Sequence, residues 1–242
     1  MKKNWTVLLI PVILLGGIAS CKKKGCMDPE ATNYNEEAKK DDESCTYVPI
    51  IKLNGSATVT VNLGDNYEDE GATATNKDGS SVNVVIDDAS DEVNTAVAGT
   101  YTIIYKATND YGTSSVTRTV EVVIGSDSWV GNWALTSQCS ATQFPLNDSP
   151  VVTQNTNGAD LDIEDMFDYL GVVFGSATAV VDGANITVPE QTYSNNGVTI
   201  VFSGTGTMNE TGTVATITYD YDNTTPFIGG DPGTCTATYE KQ

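Results

Sequence analysis

The sequence predicts an all-β protein made of two β domains in series, with one short helix in the second domain. Apolar and polar residues alternate over many short runs, as in Tyr101, Ile103 and Tyr105, and this period of two is typical of strands with one buried face. Glycine, asparagine and aspartate separate the runs, as expected at tight turns. The length of 242 residues, of which 39% are hydrophobic, suits one or two domains with their own cores.

The composition excludes several classes of function. The chain has no histidine and a single arginine, Arg118, so Ser-His-Asp catalysis, Cys-His catalysis and histidine-ligated metals are impossible. The formal net charge of −20 argues against nucleic acid as a partner, because that binding depends on basic groups that displace counterions. We expect a non-enzymatic protein without an organic cofactor.

Residues 1–20 are predicted to be an export signal. Their apolar run, Trp5 to Ile18, is too short for a membrane-spanning helix, which needs about 20 residues. The stretch Ile18-Ala19-Ser20-Cys21 resembles a bacterial lipobox. This resemblance implies that Cys21 is acylated and becomes the first mature residue; ordinary signal cleavage is the alternative. Three lysines follow at 22–24, where they could rest on anionic headgroups.

The resemblance implies an outer-membrane protein held by its lipid. Many surface-displayed lipoproteins of the Bacteroidetes type carry acids just after the cysteine, whereas this chain carries lysines. The sequence therefore leaves open whether the protein faces the periplasm or the cell surface.

Four further cysteines are expected to form disulfides, because an exported chain meets an oxidising compartment. Of the three possible pairings we favour Cys26–Cys45 and Cys139–Cys235, since each pair then lies within one apparent module. A reactive or metal-binding thiol set is the alternative, although the sequence has no C-x-x-C spacing.

Residues 21–47 contain the lipidated terminus and a small disulfide-stapled module. Its pattern GC-DP-A-NYN-A-DD-SC is similar to a short repeat of secreted Bacteroidetes proteins. Side-chain oxygens of this module could hold calcium, or they could bond their own backbone in Asx turns. The residues in question are Asp28, Asn33, Asn35, Asp41 and Asp42.

Residues 48–124 are predicted to form an immunoglobulin-like sandwich, because they contain about seven strand-like runs. The pieces Ile51 to Gly55, Gly71 to Ala74 and Gly99 to Tyr105 resemble bacterial immunoglobulin-like domains strung along secreted proteins. That resemblance implies a spacer or adhesive module without catalytic residues. Residues 125–128 are predicted to be a linker.

Residues 129–242 are predicted to form an acidic antiparallel β domain, whose only basic residue is Lys241. The opening Trp129-Val130-Gly131-Asn132-Trp133 resembles the G-x-W start of lipocalin-like barrels. The resemblance implies that Trp133 closes one end of a barrel; lipocalins also pack a basic residue on this tryptophan, and the domain has no arginine. A bridge between Cys139 and Cys235 would suit closure, because first and last strands meet when a sheet closes. An open sandwich is the alternative.

One helix is expected over residues 163–170. Apolar residues recur there at helical spacing, and Gly171 could end the helix. If the domain is a barrel, the helix could lie over its mouth; alternatively its apolar side chains are ordinary core. These side chains are Ile163, Met166, Phe167 and Leu170.

An aromatic platform for sugars is a further hypothesis, with Asp220 and Asp222 accepting hydrogen bonds from sugar hydroxyls. The alternative is a sheet core. The candidate binding residues are Trp129, Trp133, Tyr193, Tyr219, Tyr221 and Phe227. By residue type alone, Asp87/Asp88, Glu68/Asp69/Glu70 and Asp220/Asp222 also resemble the paired carboxylates of glycosidases.

Together these features predict a cell-envelope lipoprotein that binds or displays, with a glycan or a protein as its partner. A carrier of small apolar molecules, of lipocalin type, is the first alternative. A structural envelope protein without a ligand is the second.

Overall fold

The computed structural model of this protein describes residues 22–140, 144, 146–155, 160–169, 172–195, 197–225, 230 and 232–242. The all-β prediction is confirmed, because every regular element in these ranges is a strand except one 3-10 turn, Ser126–Ser128. The export signal, Cys21, Leu170, Gly171 and Phe227 lie outside the described residues. Among the residues described, no helix is both long and apolar enough to cross a membrane.

Residues 22–47 fold around the predicted Cys26–Cys45 disulfide, which is confirmed. The buried apolar side chains of this module are Ala31 and Ala38 beside Cys26. Burial this small contributes little stability, so the covalent link is the main constraint on the module.

The module lies against the next domain through polar contacts. The Tyr47 hydroxyl donates to Asp28 at 2.5 Å, and Lys77 pairs with Glu30 at 3.0 Å. The Lys77 ammonium also lies 4.8 Å from the centre of the Tyr47 ring, and Asn109 donates to the Tyr47 carbonyl at 2.9 Å. These contacts fix the orientation of the module relative to the domain that follows.

Two sheets form the immunoglobulin-like sandwich, as predicted. One has the order β1-β3-β4 and the other β2-β7-β6-β5. The strands are β1 (Ile50–Leu53), β2 (Thr58–Asn62), β3 (Ala72–Thr75), β4 (Ser81–Val82), β5 (Val84–Ile86), β6 (Gly99–Asn109) and β7 (Gly112–Val123). Val61, Ile103, Tyr105 and Val120 form the buried core. One pair in this sandwich is parallel: β2 runs alongside β7 in the same direction, which the long connection between the two strands allows.

A charged residue is buried in this sandwich. Arg118 on β7 is 1% exposed. Its guanidinium donates to the Ser56 carbonyl at 3.1 Å, to the Tyr105 hydroxyl at 3.3 Å, to the Asn54 carbonyl and to the Asp69 carboxylate. Because Asn54 and Ser56 lie in the β1–β2 connection and Asp69 lies in the β2–β3 connection, Arg118 ties both connections to β7.

Eight strands of the last domain form a closed antiparallel barrel in the order β10-β13-β14-β15-β16-β17-β8-β9. Pairing between β9 and β10 closes the barrel. The alternative prediction of an open sandwich is therefore wrong. The strands are β8 (Gly131–Cys139), β9 (Val151–Gln154), β10 (Asp160–Glu164), β13 (Ala177–Asp182), β14 (Asn185–Asn195), β15 (Val198–Met208), β16 (Val214–Asn223) and β17 (Gly233–Lys241); a separate hairpin of β11 (Phe167–Tyr169) and β12 (Val172–Phe174) follows β10.

The first and last strands of the barrel pair along their length. Cys235 lies opposite Cys139, and Lys241 lies opposite Trp133. The predicted Cys139–Cys235 disulfide is confirmed and joins the two strands. Closure by these strands leaves the barrel without a free edge on that side.

The predicted helix over residues 163–170 is wrong. Ile163 belongs to β10, which pairs with β9 on one side and β13 on the other, so its backbone hydrogen bonds are made between strands. Asp165 has a φ of +54° and ends that strand. Met166 and Phe167 are buried after this bend. The helical spacing thus arose from two short strands separated by a sharp turn.

The predicted linker joins domains that touch. Leu63 of the immunoglobulin-like domain packs against the barrel core, and Ile124 is part of that core. The Ala98 N–H donates to the Glu210 carbonyl across the junction at 2.8 Å. The two domains therefore contact each other directly.

Removal of the barrel disulfide is expected to lower the stability of the barrel. The Cys139→Ser/Cys235→Ser variant loses a link that spans 96 residues, and loops of that size correspond to about 4.7 kcal/mol in the chain-entropy account. Urea unfolding followed by tryptophan fluorescence measures the change. The control Cys26→Ser/Cys45→Ser should leave the barrel transition in place, and equal losses in both variants would contradict the prediction.

The Arg118–Asp69 pair makes the sandwich sensitive to acid. Burial raises the pKa of Asp69, but hydrogen bonds from Tyr105, from the Gly71 N–H and from Arg118 together outweigh it, so the pKa lies below its usual value. The unfolded chain therefore binds more protons in the window between the two pKa values. The contribution of Asp69 to stability is complete above a pH of about 4 and declines as the pH falls through the folded pKa.

Asp69→Asn should remove much of this acid dependence. At neutral pH the variant should lose about 2 kcal/mol, less than for a fully buried pair because the Asp69 side chain is 25% exposed. Urea titrations from about pH 7 down to about pH 3, which is below the usual pKa of an aspartate, measure both effects. The control is Glu68→Gln at the exposed neighbouring residue, which should keep the acid dependence of the parent chain. If the unfolding free energy of Asp69→Asn depended on pH as strongly as that of the parent chain, the role assigned to Asp69 would be refuted.

Candidate functional site

The predicted aromatic platform is wrong, because its residues form the barrel core. Trp129, Trp133 and Tyr221 are 2%, 2% and 3% exposed, and Tyr219 is fully buried. Tyr193 packs partly buried against the same core. None of these five described rings presents an open face of the kind that stacks on a sugar.

Strand geometry explains why aromatic and acidic residues separate on β16. Successive side chains of a strand point to opposite faces. Tyr219 and Tyr221 point into the barrel, so Asp220 and Asp222 point outward. The tyrosines and the carboxylates therefore cannot meet one ligand on the same surface.

Aromatic side chains fill one end of the barrel interior. Phe144, from the connection after β8, stacks on Tyr221 with ring centres 4.3 Å apart. Phe167 from the hairpin meets Phe202 edge to face at 5.4 Å and meets Phe144 at 5.6 Å. Met166 and Phe167 are thus ordinary core, which was the alternative to a lid over the barrel mouth.

A pair of tyrosine hydroxyls lies deeper in the interior. The Tyr219 and Tyr239 hydroxyl oxygens are 2.7 Å apart, and both rings are buried. Burial raises the pKa of both phenols far above neutral pH. The pair is therefore uncharged at physiological pH and acts as a polar core contact.

The opposite end is closed by Trp133 and by a lysine that sequence reasoning missed. The Trp133 indole donates to the Trp129 carbonyl at 3.0 Å. Lys241 lies over the Trp133 ring, 5.5 Å from its centre, and donates to the Ser128 carbonyl at 2.8 Å. Burial lowers the pKa of Lys241. The register between β8 and β17 brings this lysine to the tryptophan, and in the sequence Lys241 is the one basic residue of the domain that could make this contact.

Gly131 makes this approach possible. Its φ of +142° belongs to the region that favours glycine. A Cβ at this position would lie 3.3 Å from the Lys241 side chain. Glycine at the start of β8 therefore permits the close contact between the first and last strands at the tryptophan end.

The outer wall of the barrel carries a shallow acidic groove. It has a volume of about 330 Å³ and runs over the outer faces of β15, β16 and β17. Asp220 lies between Ser203 on one neighbouring strand and Thr234 on the other, and Asp222 lies opposite Val201. The polar lining side chains are Glu190, Ser203, Asp220, Asp222 and Thr234.

This groove can accept and donate hydrogen bonds without aromatic stacking. Its carboxylates accept hydrogen bonds, and the two hydroxyls do both. The sequence singled out Asp220 and Asp222 but not Glu190, Ser203 or Thr234, because their proximity depends on the strand register.

Two other acidic sets that resemble paired carboxylates have structural contacts. Asp69 binds Arg118, as described above. Asp87 pairs with Lys106 and accepts a hydrogen bond from the Ala89 N–H at 3.1 Å. These carboxylates therefore hold loops of the sandwich in place.

The structure does not assemble the predicted calcium site. Asp28, Asn33 and Asn35 accept hydrogen bonds from the N–H groups of Glu30, Thr46 and Glu37 at 3.0, 2.9 and 3.1 Å. Within the described ranges no group of three or more acidic or cysteine side chains is placed to hold a metal.

The last two calcium candidates behave in the same way. Asp41 and Asp42 accept hydrogen bonds from the N–H groups of Glu43 and Ser44 at 3.0 and 3.2 Å. The Ser44 hydroxyl contributes most to lowering the pKa of Asp42. The oxygens thus stabilise turns, which was the alternative interpretation.

Comparisons with known proteins identify the fold of one segment. No curated protein matches the chain by sequence. Among solved structures, the chain is similar to a lipoprotein from Bacteroides thetaiotaomicron, with 12% identity, 80% of this chain and 100% of that chain covered, and a TM-score of 0.29.

A second structure holds CBM51-2 in complex with GlcNAc, together with INT domains, from Clostridium perfringens ZmpB. It shares 15% identity, with 79% of this chain and 44% of that chain covered and a TM-score of 0.27. This chain therefore spans less than half of the ZmpB structure. Such low TM-scores carry no argument about function. The comparison that identifies a domain is the match of residues 51–122, less than half of the chain, to the family model of the bacterial surface protein Ig-like domain.

Proposed function

We propose that this protein is a non-enzymatic, lipid-anchored binding module of the cell envelope. The observation that carries the proposal is the match of residues 51–122 to a surface-protein domain, which follows a segment that resembles a lipobox and the small disulfide module. In this proposal Cys21 carries the lipid, the immunoglobulin-like domain is the spacer and the barrel presents the binding surface.

The lipid sets the location. Each buried CH2 group of an acyl chain contributes about 0.8 kcal/mol, so two or more chains on one cysteine hold a protein stably on a bilayer. We place the anchor in the outer membrane, on the evidence of the lipobox resemblance. The contacts of the disulfide module with Lys77 and Asn109 support a spacer that begins close to the anchor.

The binding surface is the acidic groove on the barrel wall, and the ligand class is a neutral glycan. The net charge of −20 disfavours anionic ligands. The packing of Phe144, Phe167, Phe202 and Tyr221 inside the barrel supports an external site rather than an internal cavity for an apolar cargo. Carboxylates beside hydroxyls provide the hydrogen-bond acceptors that sugar hydroxyls need.

The anchor is tested by labelling cells with palmitate. The parent chain should incorporate the label, and Cys21→Ser should lose it, because the thiol that accepts the lipid is gone. The matched control Cys26→Ser/Cys45→Ser removes two other cysteines and should keep the label. Incorporation into Cys21→Ser at the parent level would show that the lipobox interpretation is wrong.

The groove is tested on a neutral glycan array with residues 22–242. A glycan that binds should lose about 10-fold or more in affinity with Asp220→Asn/Asp222→Asn, because hydrogen bonds to charged groups contribute about 1.5 kcal/mol or more. Titration calorimetry measures the affinity.

The control Asp182→Asn/Glu240→Gln removes the same charge from exposed positions at the tryptophan end of the barrel and should bind as the parent does. Equal losses in both variants would argue against the groove. A blank array together with binding of a fluorescent fatty acid would favour the carrier instead.

A further inference from the structure

A cleft lies at the junction between the immunoglobulin-like domain and the barrel. Its volume is about 640 Å³, larger than that of the groove on the barrel wall. Clefts of this size between domains are typical of small-molecule sites. We call it the junction cleft and define it by six of the residues that line it: Asn62, Asp65, Ser126, Asp127, Thr213 and Lys241. Both domains and the linker between them therefore contribute to one concave surface.

The linker side of the cleft is tied to the barrel. The Asp127 carboxylate accepts a hydrogen bond from the Gln154 amide. The Ser128 carbonyl accepts one from the Lys241 ammonium at 2.8 Å. These contacts hold the linker in place without a ligand, so little ordering is needed when a ligand binds.

The two domain walls of the cleft are also held at a fixed spacing. The Ala98 N–H of the immunoglobulin-like domain donates to the Glu210 carbonyl of the barrel at 2.8 Å. Leu63 lies so close to Gly212 that a Cβ at position 212 would be 2.6 Å from the leucine side chain. The walls therefore meet along a tight contact beside the cleft, as a preorganised site requires.

Charges of opposite sign line the cleft from different domains. Asp65 lies in the β2–β3 connection of the sandwich, and Lys241 is the last residue of β17 in the barrel. Among the residues that the structure describes, neither side chain belongs to an ion pair, and the two do not pair with each other. The Lys241 ammonium has three N–H donors, and its neighbours are a carbonyl and an indole ring. Each charge is therefore available to a ligand group of opposite sign.

Charge complementarity decides which class of ligand fits. A simple anion would meet the carboxylates of Asp65 and Asp127, and a simple cation would meet the ammonium of Lys241. A molecule that carries both an ammonium group and a carboxylate can satisfy both sides of the cleft. Ser126 and Thr213 add hydroxyl groups that donate and accept hydrogen bonds, which suits the N–H and C=O groups of a peptide bond.

We propose that the junction cleft binds a zwitterion, namely an amino acid or a short peptide with both termini free, between Asp65 and Lys241. The ligand's ammonium group lies at Asp65 and its carboxylate at Lys241. The inference depends neither on the lipid anchor nor on the glycan groove. Because such a ligand contacts both domains of the folded chain, it also stabilises their junction.

The test titrates residues 22–242, which contain every described element, with alanine, dialanine and trialanine. Each added residue moves the two terminal charges apart by at most about 3.6 Å, so the series samples three charge separations. NMR chemical shifts measure the affinities. At least one of these probes should bind, and absence of binding by all three would overturn the proposal.

Chemical blocking of the probe tests each charge without changing the protein. The N-acetylated and the C-amidated form of the probe that binds should each bind about 5-fold more weakly, because each lacks one charge of a solvent-exposed ion pair. The amidated form tests Lys241 while leaving its contact with Trp133 intact. Equal affinity for the free and the blocked forms would contradict the proposed binding mode.

Substitution of Asp65 identifies the partner of the ligand's ammonium group. Asp65→Asn should bind the free probe about 5-fold more weakly than the parent chain. It should bind the N-acetylated probe as the parent does, because the group that meets Asp65 is then already absent.

The matched control is Asp110→Asn, which removes the same charge from an exposed residue in the β6–β7 turn, at the end of the sandwich away from the barrel. This variant should bind the free probe like the parent chain, and thermal unfolding checks that both variants are folded. Equal losses in Asp65→Asn and Asp110→Asn would overturn the assignment, since affinity would then follow net charge alone.

Discussion

The pairing of the first barrel strand with the last is the constraint on which the C-terminal domain depends. It joins residues that are about a hundred positions apart, and the Cys139–Cys235 bond makes it permanent. The same register places Lys241 over Trp133 at the other end of the two strands. Once this pairing exists, every strand of the barrel has two neighbours and the inward and outward faces are defined.

Those two faces have different roles. The inward face holds the aromatic rings, which pack on one another. Its polar contact is the hydrogen bond between the uncharged hydroxyls of Tyr219 and Tyr239. The outward face carries the acids. The glycan site that we propose on the barrel wall is therefore a consequence of strand alternation rather than of a special loop.

Charge is distributed unevenly along the molecule. The barrel has one basic residue, Lys241, and that lysine packs over Trp133. The disulfide module at the other end has five lysines that its backbone pairing brings together. An anionic bilayer would repel the strongly acidic barrel, so electrostatics favours a barrel held away from the membrane of the proposed anchor.

Much of the fold follows from local pattern. The alternation in segments such as Tyr101 to Tyr105 predicts strands, because a strand buries every second side chain whatever its neighbours are. Both disulfides were predictable from the grouping of cysteines into modules. Asp220 and Asp222 were recognised as hydrogen-bond acceptors from residue type alone.

Other features depend on contacts between distant segments. The spacing of Ile163, Met166 and Phe167 suits a helix equally well, and only the two neighbours of β10 decide for a strand. Alternation along β16 places Tyr219 and Tyr221 on one face, but only barrel closure makes this face the inside.

The sequence by itself determined the order of the modules, the strand content and the residues available for binding. The tertiary structure decided which side chains meet: Lys241 with Trp133, and Arg118 with Asp69. The physical reason is that periodicity is set by each residue and its near neighbours, whereas register is set by the summed free energy of pairing between segments far apart in the chain.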